Sequence, residues 1–290
     1  IRKHGFCFHV YADDTQIYIS FNPDNIHNIM QRLKECINEI RAWMSHYKLK
    51  LNDDKTEFLV MSSSRKVSQF SDLELEIGDS SISTSQSARN LGVVMDNVMS
   101  MDKQVNAICK SAHHQLRSKG AMRKYLTVDV TRQLIHAFVT SRLDYCNSLL
   151  YGISYKSMKK LRRVPNTAAC IVTLSRKYDH ITPIQDTLNW LPVNLRIEFK
   201  ILLLTYKSLN ELAPVYLRDL LVKHEPSRAL RSSNKNLLAL PSTKTKATYG
   251  DKAFSNTAPR LWNSLPIEIR NANSVHSFKR LLKTFLFTKF

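Results

Sequence analysis

The sequence predicts an α+β protein that continues into a helical, basic region, and three observations carry that reading. Apolar residues alternate with a period of two over residues 6–21, then recur at spacings of three and four over residues 26–44. From residue 101 onward the helical period prevails. Charge divides at the same place. Residues 1–100 hold 11 Lys and Arg against 13 Asp and Glu, whereas residues 101–290 hold 32 against 11, so the net charge of +19 lies in the later stretch.

Phe6, Phe8 and Val10 share one face of a first run, and Ile17, Ile19 and Phe21 share one face of a second. Two such runs flanking a short polar centre predict a β-hairpin with Asp13-Asp14 at its tip. Asn22-Pro23-Asp24 ends the strand and offers Asp24 as a helix cap. Ile26, Ile29, Met30, Leu33, Ile37, Ile40 and Met44 then predict an amphipathic helix of about six turns. Strands are expected at 49–52 and 57–61 around a polar turn, followed by a Ser-rich loop over 62–71 and strands at 73–77 and 88–95. Hairpin, helix and strands in this order make an α+β layer.

Helices are expected over 105–126, 128–150 and 155–174, with interruptions at Pro183 and Pro192, and then over 195–209 and 274–287. Residues 226–260, rich in Ser, Thr and Lys, read as a loop. The domain division is therefore 1–100, 101–175 and 176–290.

Composition excludes several classes. At 43% hydrophobic and 23% charged the chain is neither disordered nor fibrous. Its richest apolar run, 197–204, already contains Glu198 and Lys200, far from the ~18–20 apolar residues of a membrane helix. Five cysteines, an odd number with no C-x-x-C pair, argue against a disulfide framework or a zinc site and suit a reducing compartment. The start at Ile1 without a signal peptide reads as a piece of a longer protein. The basic excess is either a solvated surface or a field for a polyanion, with nucleic acid the usual partner.

Tyr11-Ala12-Asp13-Asp14 at a hairpin tip resembles the active-site motif of reverse transcriptases; taken alone, it is equally a turn using Asp-Asp for local hydrogen bonds. Asn52-Asp53-Asp54-Lys55-Thr56 resembles the family's next motif, and Asn90-Leu91-Gly92-Val93 its primer-gripping segment. Further segments resemble the C-terminal regions of LINE-type, non-LTR retrotransposon enzymes of the jockey and chicken-repeat branch. They are Leu143-Asp144-Tyr145-Cys146-Asn147, Trp190-Leu191-Pro192 with Arg196-Ile197, and the run from Ala258 to Pro266.

The resemblance implies the C-terminal half of a reverse-transcriptase palm followed by a helical, basic thumb and C-terminal region. It implies an RNA-directed DNA polymerase that uses Mg²⁺, with Asp13 a direct metal ligand and Asp14 a supporting carboxylate. Tyr11 and Ala12 would meet the primer end, and Gly92, beside Leu91, would let the backbone approach the primer. Lys55 would protonate or neutralise the departing pyrophosphate, or be an ordinary turn lysine. Lys119, Arg123, Lys124, Lys159, Lys160, Arg162 and Arg163 would hold an RNA template with an RNA–DNA or DNA primer duplex, and deoxynucleotides would be the intact parent's substrates. A ribonucleoprotein moving between cytoplasm and nucleus, without a membrane partner, is implied as well.

Only ten residues precede Tyr11, so the family's earlier aspartate-bearing strand is expected to be missing and the chain inactive alone. The alternative is a non-enzymatic nucleic-acid-binding relic or adopted protein. Tyr125, Tyr155 and Tyr178 are expected to pack rather than stack on bases, His113-His114 to be a solvated or capping pair, and Trp190 and Trp262 to be core. Pro165 either starts a helix or marks decay.

Overall fold

The alternating run at the N-terminus does fold back on itself. A computed structural model describes residues 1–78, 80–176, 179–224, 236–241 and 250–289 of the chain. It divides into two compact units, Ile1–Met99 and Ser100–Phe290. Helices and small antiparallel strand pairs make this an α+β protein. Among the described residues, no helix is long and apolar enough to cross a membrane.

In the first unit β1 (Cys7–Tyr11) pairs with β2 (Asp14–Tyr18). Pro23–Asn25 form a single 3₁₀ turn that leads into α1 (Ile26–His46), so Asn25 rather than Asp24 occupies the N-cap. One stretch of α1 buries Ile29 and Cys36 with Phe6, where Ile17, Ile19 and Phe21 close over them. Further along, Ile37 meets Leu75 and Ile77 of β3 (Glu74–Ile77), which pairs with β4 (Ser80–Ser83).

Two expectations fail here. Residues 49–52 and 57–61 form no strands: a 3₁₀ turn spans Asp53–Lys55, and Phe58 makes one isolated parallel bridge to Thr84. The strand expected over 88–95 is instead a hairpin, β5 (Ser87–Asn90) with β6 (Val93–Asp96), bent at Leu91-Gly92. The Ser-rich loop also holds a 3₁₀ turn, Val67–Phe70, because Phe70 is buried.

The second unit opens with α2 (Asp102–Met122) and a 3₁₀ turn at Arg123–Tyr125. The helix expected over 128–150 is broken into α3 (Val128–Ile135), a π turn His136–Thr140, α4 (Ser141–Asp144) and a 3₁₀ turn Asn147–Leu150. Next comes α5 (Tyr155–Thr173), which runs parallel to α2: Asp102 meets Ser157, Asn106 meets Lys160 and Arg123 meets Val172. Pro165 lies inside α5 and starts nothing; lacking an N–H, it leaves the Leu161 carbonyl without its usual donor.

Among the described residues, the chain continues through α6 (Ile181–Thr187), α7 (Val193–Leu209), α8 (Val215–Arg218), α9 (Phe254–Asn263), α10 (Ile267–Arg270) and α11 (Val275–Phe287). Pro183 sits in the first turn of α6 and Pro192 caps α7, both positions that tolerate proline. The loop expected over 226–260 gives way to α9 from Phe254; its parts at 226–235 and 242–249 lie outside the described residues. Thr127, Ser154 and Ser274 cap α3, α5 and α11, each accepting a hydrogen bond from the N–H three residues on. Phe278 of α11 stacks on Tyr206 of α7 at 4.3 Å and on Trp262 of α9 at 6.0 Å, tying three helices together.

Candidate functional site

The register of β1 and β2 decides where the acidic pair stands. Tyr11 lies opposite Asp14, leaving Ala12-Asp13 as a two-residue turn. Ala12 has φ 53, in the left-handed region where a Cβ is unfavourable by roughly 1–2 kcal/mol. Asp13 and Asp14 are both exposed, and Tyr11 beside them is 69% exposed. With side chains alternating, Cys7, His9, Tyr11, Asp14, Gln16 and Tyr18 share the exposed face of the hairpin, while Phe8 and Ile17 are half-buried on the other. His9 and Tyr18 brace that open face by stacking at 5.4 Å and sharing a 3.0 Å hydrogen bond.

The hairpin is anchored to α1 by charge as well as by its core. Arg32 donates to the His4 carbonyl and lies 5.6 Å over the Phe6 ring. Glu39 accepts from His4 at 2.9 Å and from Lys3 at 2.7 Å, and those bonds hold its carboxyl down at about 2.

Asn52 and Thr56 shape the next motif. The Asn52 side chain accepts from the Lys55 N–H at 3.3 Å, and the Thr56 hydroxyl donates to the Asn52 carbonyl at 2.9 Å. Asp53 is paired with Arg41 of α1, so the turn is fastened while Lys55 stays exposed. Among the described residues no ion pair joins Lys55 to Asp13 or Asp14.

Leu91 and Gly92 both have positive φ, 44 and 81, as a two-residue I′ turn requires. Glycine suits that conformation; leucine does not, and Leu91 is exposed as well. Asn90 donates to Gln16 of β2 at 3.2 Å, two residues beyond Asp14, and so joins the second turn to the first hairpin. The Arg89 N–H donates to Glu57 at 2.9 Å. The structure thus links the two hairpins through Asn90 and Gln16, residues next to the two turns rather than in them. Arg41 and Gln16 went unnoticed in the sequence because no periodicity signals a long-range polar contact.

In the second unit the basic residues differ from one another. Arg123 is a correction: it is 8% exposed, its guanidinium donating to the carbonyls of Ile171 (3.0 Å), Val172 (3.0 Å) and Leu126 (2.7 Å). It caps the end of α5, with three of its five N–H donors spent on backbone carbonyls and the side chain buried away from any phosphate at the surface. Lys160 donates to Asn106 at 2.7 Å, Arg162 to Asn194 at 3.4 Å, and Lys119 lies 4.4 Å over the Phe138 ring. Lys124, Lys159 and Arg163 are exposed. Tyr125 and Tyr155 do not pack, being 78% and 76% exposed, and Tyr178 lies outside the described residues. Trp190 and Trp262 are buried, as core residues should be. His113 lines an open groove of about 680 Å³ between α2 and α5 with Lys110 and Arg117, and His114 is exposed.

Comparison with curated proteins and with solved structures gave no match. Residues 1–95 match the family model described as reverse transcriptase (RNA-dependent DNA polymerase), a stretch that contains the hairpin, the Asn52 turn and the Leu91-Gly92 turn.

Proposed function

We propose that the first unit is the aspartate-bearing half of a reverse-transcriptase palm from a LINE-type retrotransposon, and that the second unit grips nucleic acid. The observation that carries this reading is the hairpin tip: two adjacent, exposed carboxylates that follow a left-handed Ala12. Strained backbone held at an exposed turn is a recurrent mark of functional sites.

The donor set suits Mg²⁺, a hard cation that takes one or two carboxylates and fills its other positions with water and phosphate oxygens. Asp13 and Asp14 would hold it, and when bound it supplies charge neutralisation at the oxygens of nucleotidyl transfer. Tyr11 and Ala12 would contact the primer end, with Leu91 and Gly92 on the turn that Asn90 ties to the same hairpin. Lys55 would stand ready to neutralise the departing pyrophosphate. Among the described residues no group of three His, Cys, Asp or Glu is placed to hold a metal. The tip therefore supplies two ligands of a site that takes more.

A primer-extension assay on an RNA template with Mg²⁺ tests this. The 290-residue chain is expected to bind template–primer without extending it; extension that disappears in Asp13→Ala would overturn the split-site reading. A second reading, a nucleic-acid binder without catalysis, is favoured by the exposed Lys124, Lys159 and Arg163. Both predict binding that weakens steeply with salt. They part over Mg²⁺, which alters affinity at the hairpin only if the aspartates are in use.

A further inference from the structure

We propose that the groove between α2 and α5 is a docking site for an acidic amphipathic helix of a partner protein. Its cationic wall comes from one stripe of α2. Lys110, His113 and Arg117 are spaced three and four residues apart and so share a face. Leu116 and Gly120 of α2 and Ile171 of α5 make the aliphatic part. From Lys110 to Gly120 the groove follows about three turns of α2, or about 15 Å, a length that suits a short docked helix.

Charge complementarity names the occupant. Among the described residues no carboxylate lines the groove, and none lies within ion-pair distance of Lys110 or Arg117. On the α5 side, Thr167 donates its hydroxyl proton to the Arg163 carbonyl at 2.9 Å and adds no counter-charge. Carboxylates on a partner therefore find two exposed cations, with no acid of their own, beside an apolar strip. A second copy of the helical unit would bring mostly like charge, since residues 101–290 hold 32 Lys and Arg against 11 Asp and Glu.

Gly120 keeps the floor open. A Cβ built there would lie 3.7 Å from Cδ1 of Ile171, an ordinary contact, so the packing of α2 on α5 does not require glycine. Within a helix glycine is less favourable than alanine; here its missing side chain leaves Ile171 only half-buried. The same floor favours a protein over a nucleic acid. Among the described residues that line it there is no aromatic ring on which a base would stack. Leucine-like anchors of an amphipathic helix, by contrast, bury well against Leu116 and Ile171.

The test titrates the full chain, its isoleucine methyls labelled for NMR, with a fluorescent helical peptide of about four turns. The peptide carries leucines at i, i+3, i+4 and i+7, flanked by glutamates. It is expected to bind saturably by anisotropy and to move the Ile171 Cδ1 methyl resonance. Changing its leucines to serines at unchanged charge should weaken binding about tenfold or more. Gly120→Leu, which fills the floor, should have a similar effect, while Gly120→Ala should keep most of the binding. Lys110→Gln and Arg117→Gln should each weaken it about threefold, as loss of a rim ion pair does. Lys279→Gln, an exposed control on α11, should change nothing. Equal binding of the leucine and serine peptides would reduce the groove to bulk charge and overturn the site. A short single-stranded oligonucleotide that moves the Ile171 methyl where the peptide does not would overturn it too, and give the groove to nucleic acid. Neither metal nor template–primer enters the titration, so its failure leaves the hairpin reading untouched.

Discussion

The two units hold themselves together differently. In the first, α1 with the β1–β2 and β3–β4 pairs rests on two clusters of three buried side chains each, Phe6, Ile29 and Cys36 and then Ile37, Leu75 and Ile77, while Val60, Phe70 and Val93 are buried outside them. Polar ties between exposed groups do much of the remaining positioning. In the second, helices bury whole faces: Leu161, Val164, Ala168 and Val172 of α5 are all at most 1% exposed. Two-stranded ribbons are marginal in water without a helix or further strands behind them. The candidate catalytic residues thus lie on the thinner of the two scaffolds.

The largest effect should come from Phe278→Ala, which removes the ring between Tyr206 and Trp262 and should cost about 3–5 kcal/mol. Denaturant unfolding followed by tryptophan fluorescence measures it. Phe6→Ala in the first unit should fall at or below the low end of that range, because only a small cluster surrounds it. An equal loss at both positions would break the contrast between the units.

Arg123 and Arg163 sharpen the contrast inside the second unit. Replacing buried Arg123 with Met strands three carbonyls and should destabilise by roughly 2–3 kcal/mol, with no change in the salt dependence of nucleic-acid binding. Arg163→Gln should leave the melting temperature alone and reduce the salt slope by about 1 if it meets a phosphate. Melts and salt titrations of both variants separate a cap from a contact.

That pair also marks the limit of what the sequence disclosed. Period was legible: the spacings over Ile26 to Met44 and over Val275 to Phe285 placed their helices within a residue or two, whereas the cap expected at Asp24 lies one residue on, at Asn25. The hairpin with its acidic tip was legible too, since alternation fixes which side chains share a face. Residues 49–52 and 57–61 failed because a strand exists only with a partner, and Phe58 finds one bridge. The turn inside 88–95 was hidden because leucine stands where asparagine would have signalled it. Arg123 misled because helical period does not say whether a long cation turns inward to carbonyls or outward to water.

Smaller effects should follow from relaxing the two strained turns. Leu91→Asn puts a residue suited to φ 44 at the β5–β6 bend, and Ala12→Gly does the same at φ 53. Each should stabilise the first unit by about 1 kcal/mol or less, read from its thermal melt. If the exposed Leu91 side chain serves a nucleic-acid strand, its replacement should also weaken template–primer binding. A gain in stability with unchanged binding would remove Leu91 from the proposed site, leaving Gly92 alone on that turn.

The smallest effect concerns acid. Glu39 has its carboxyl held at about 2 by hydrogen bonds from His4 first and Lys3 second, below the ordinary value of 4.5. A carboxyl depressed by folding binds its proton more readily in the unfolded chain. The stability it lends is therefore complete above about 4.5 and drains away as the pH falls toward 2. Glu39 is half-exposed, so water and salt screen the pair with Lys3. The loss should be shallow and weaker still at high ionic strength. Glu39→Gln should flatten this part of the profile for the first unit while leaving the response of the helical unit unchanged. Near-identical acid profiles for the two proteins would mean that the core around Phe6, and not the Lys3–Glu39–His4 tie, holds the hairpin against α1.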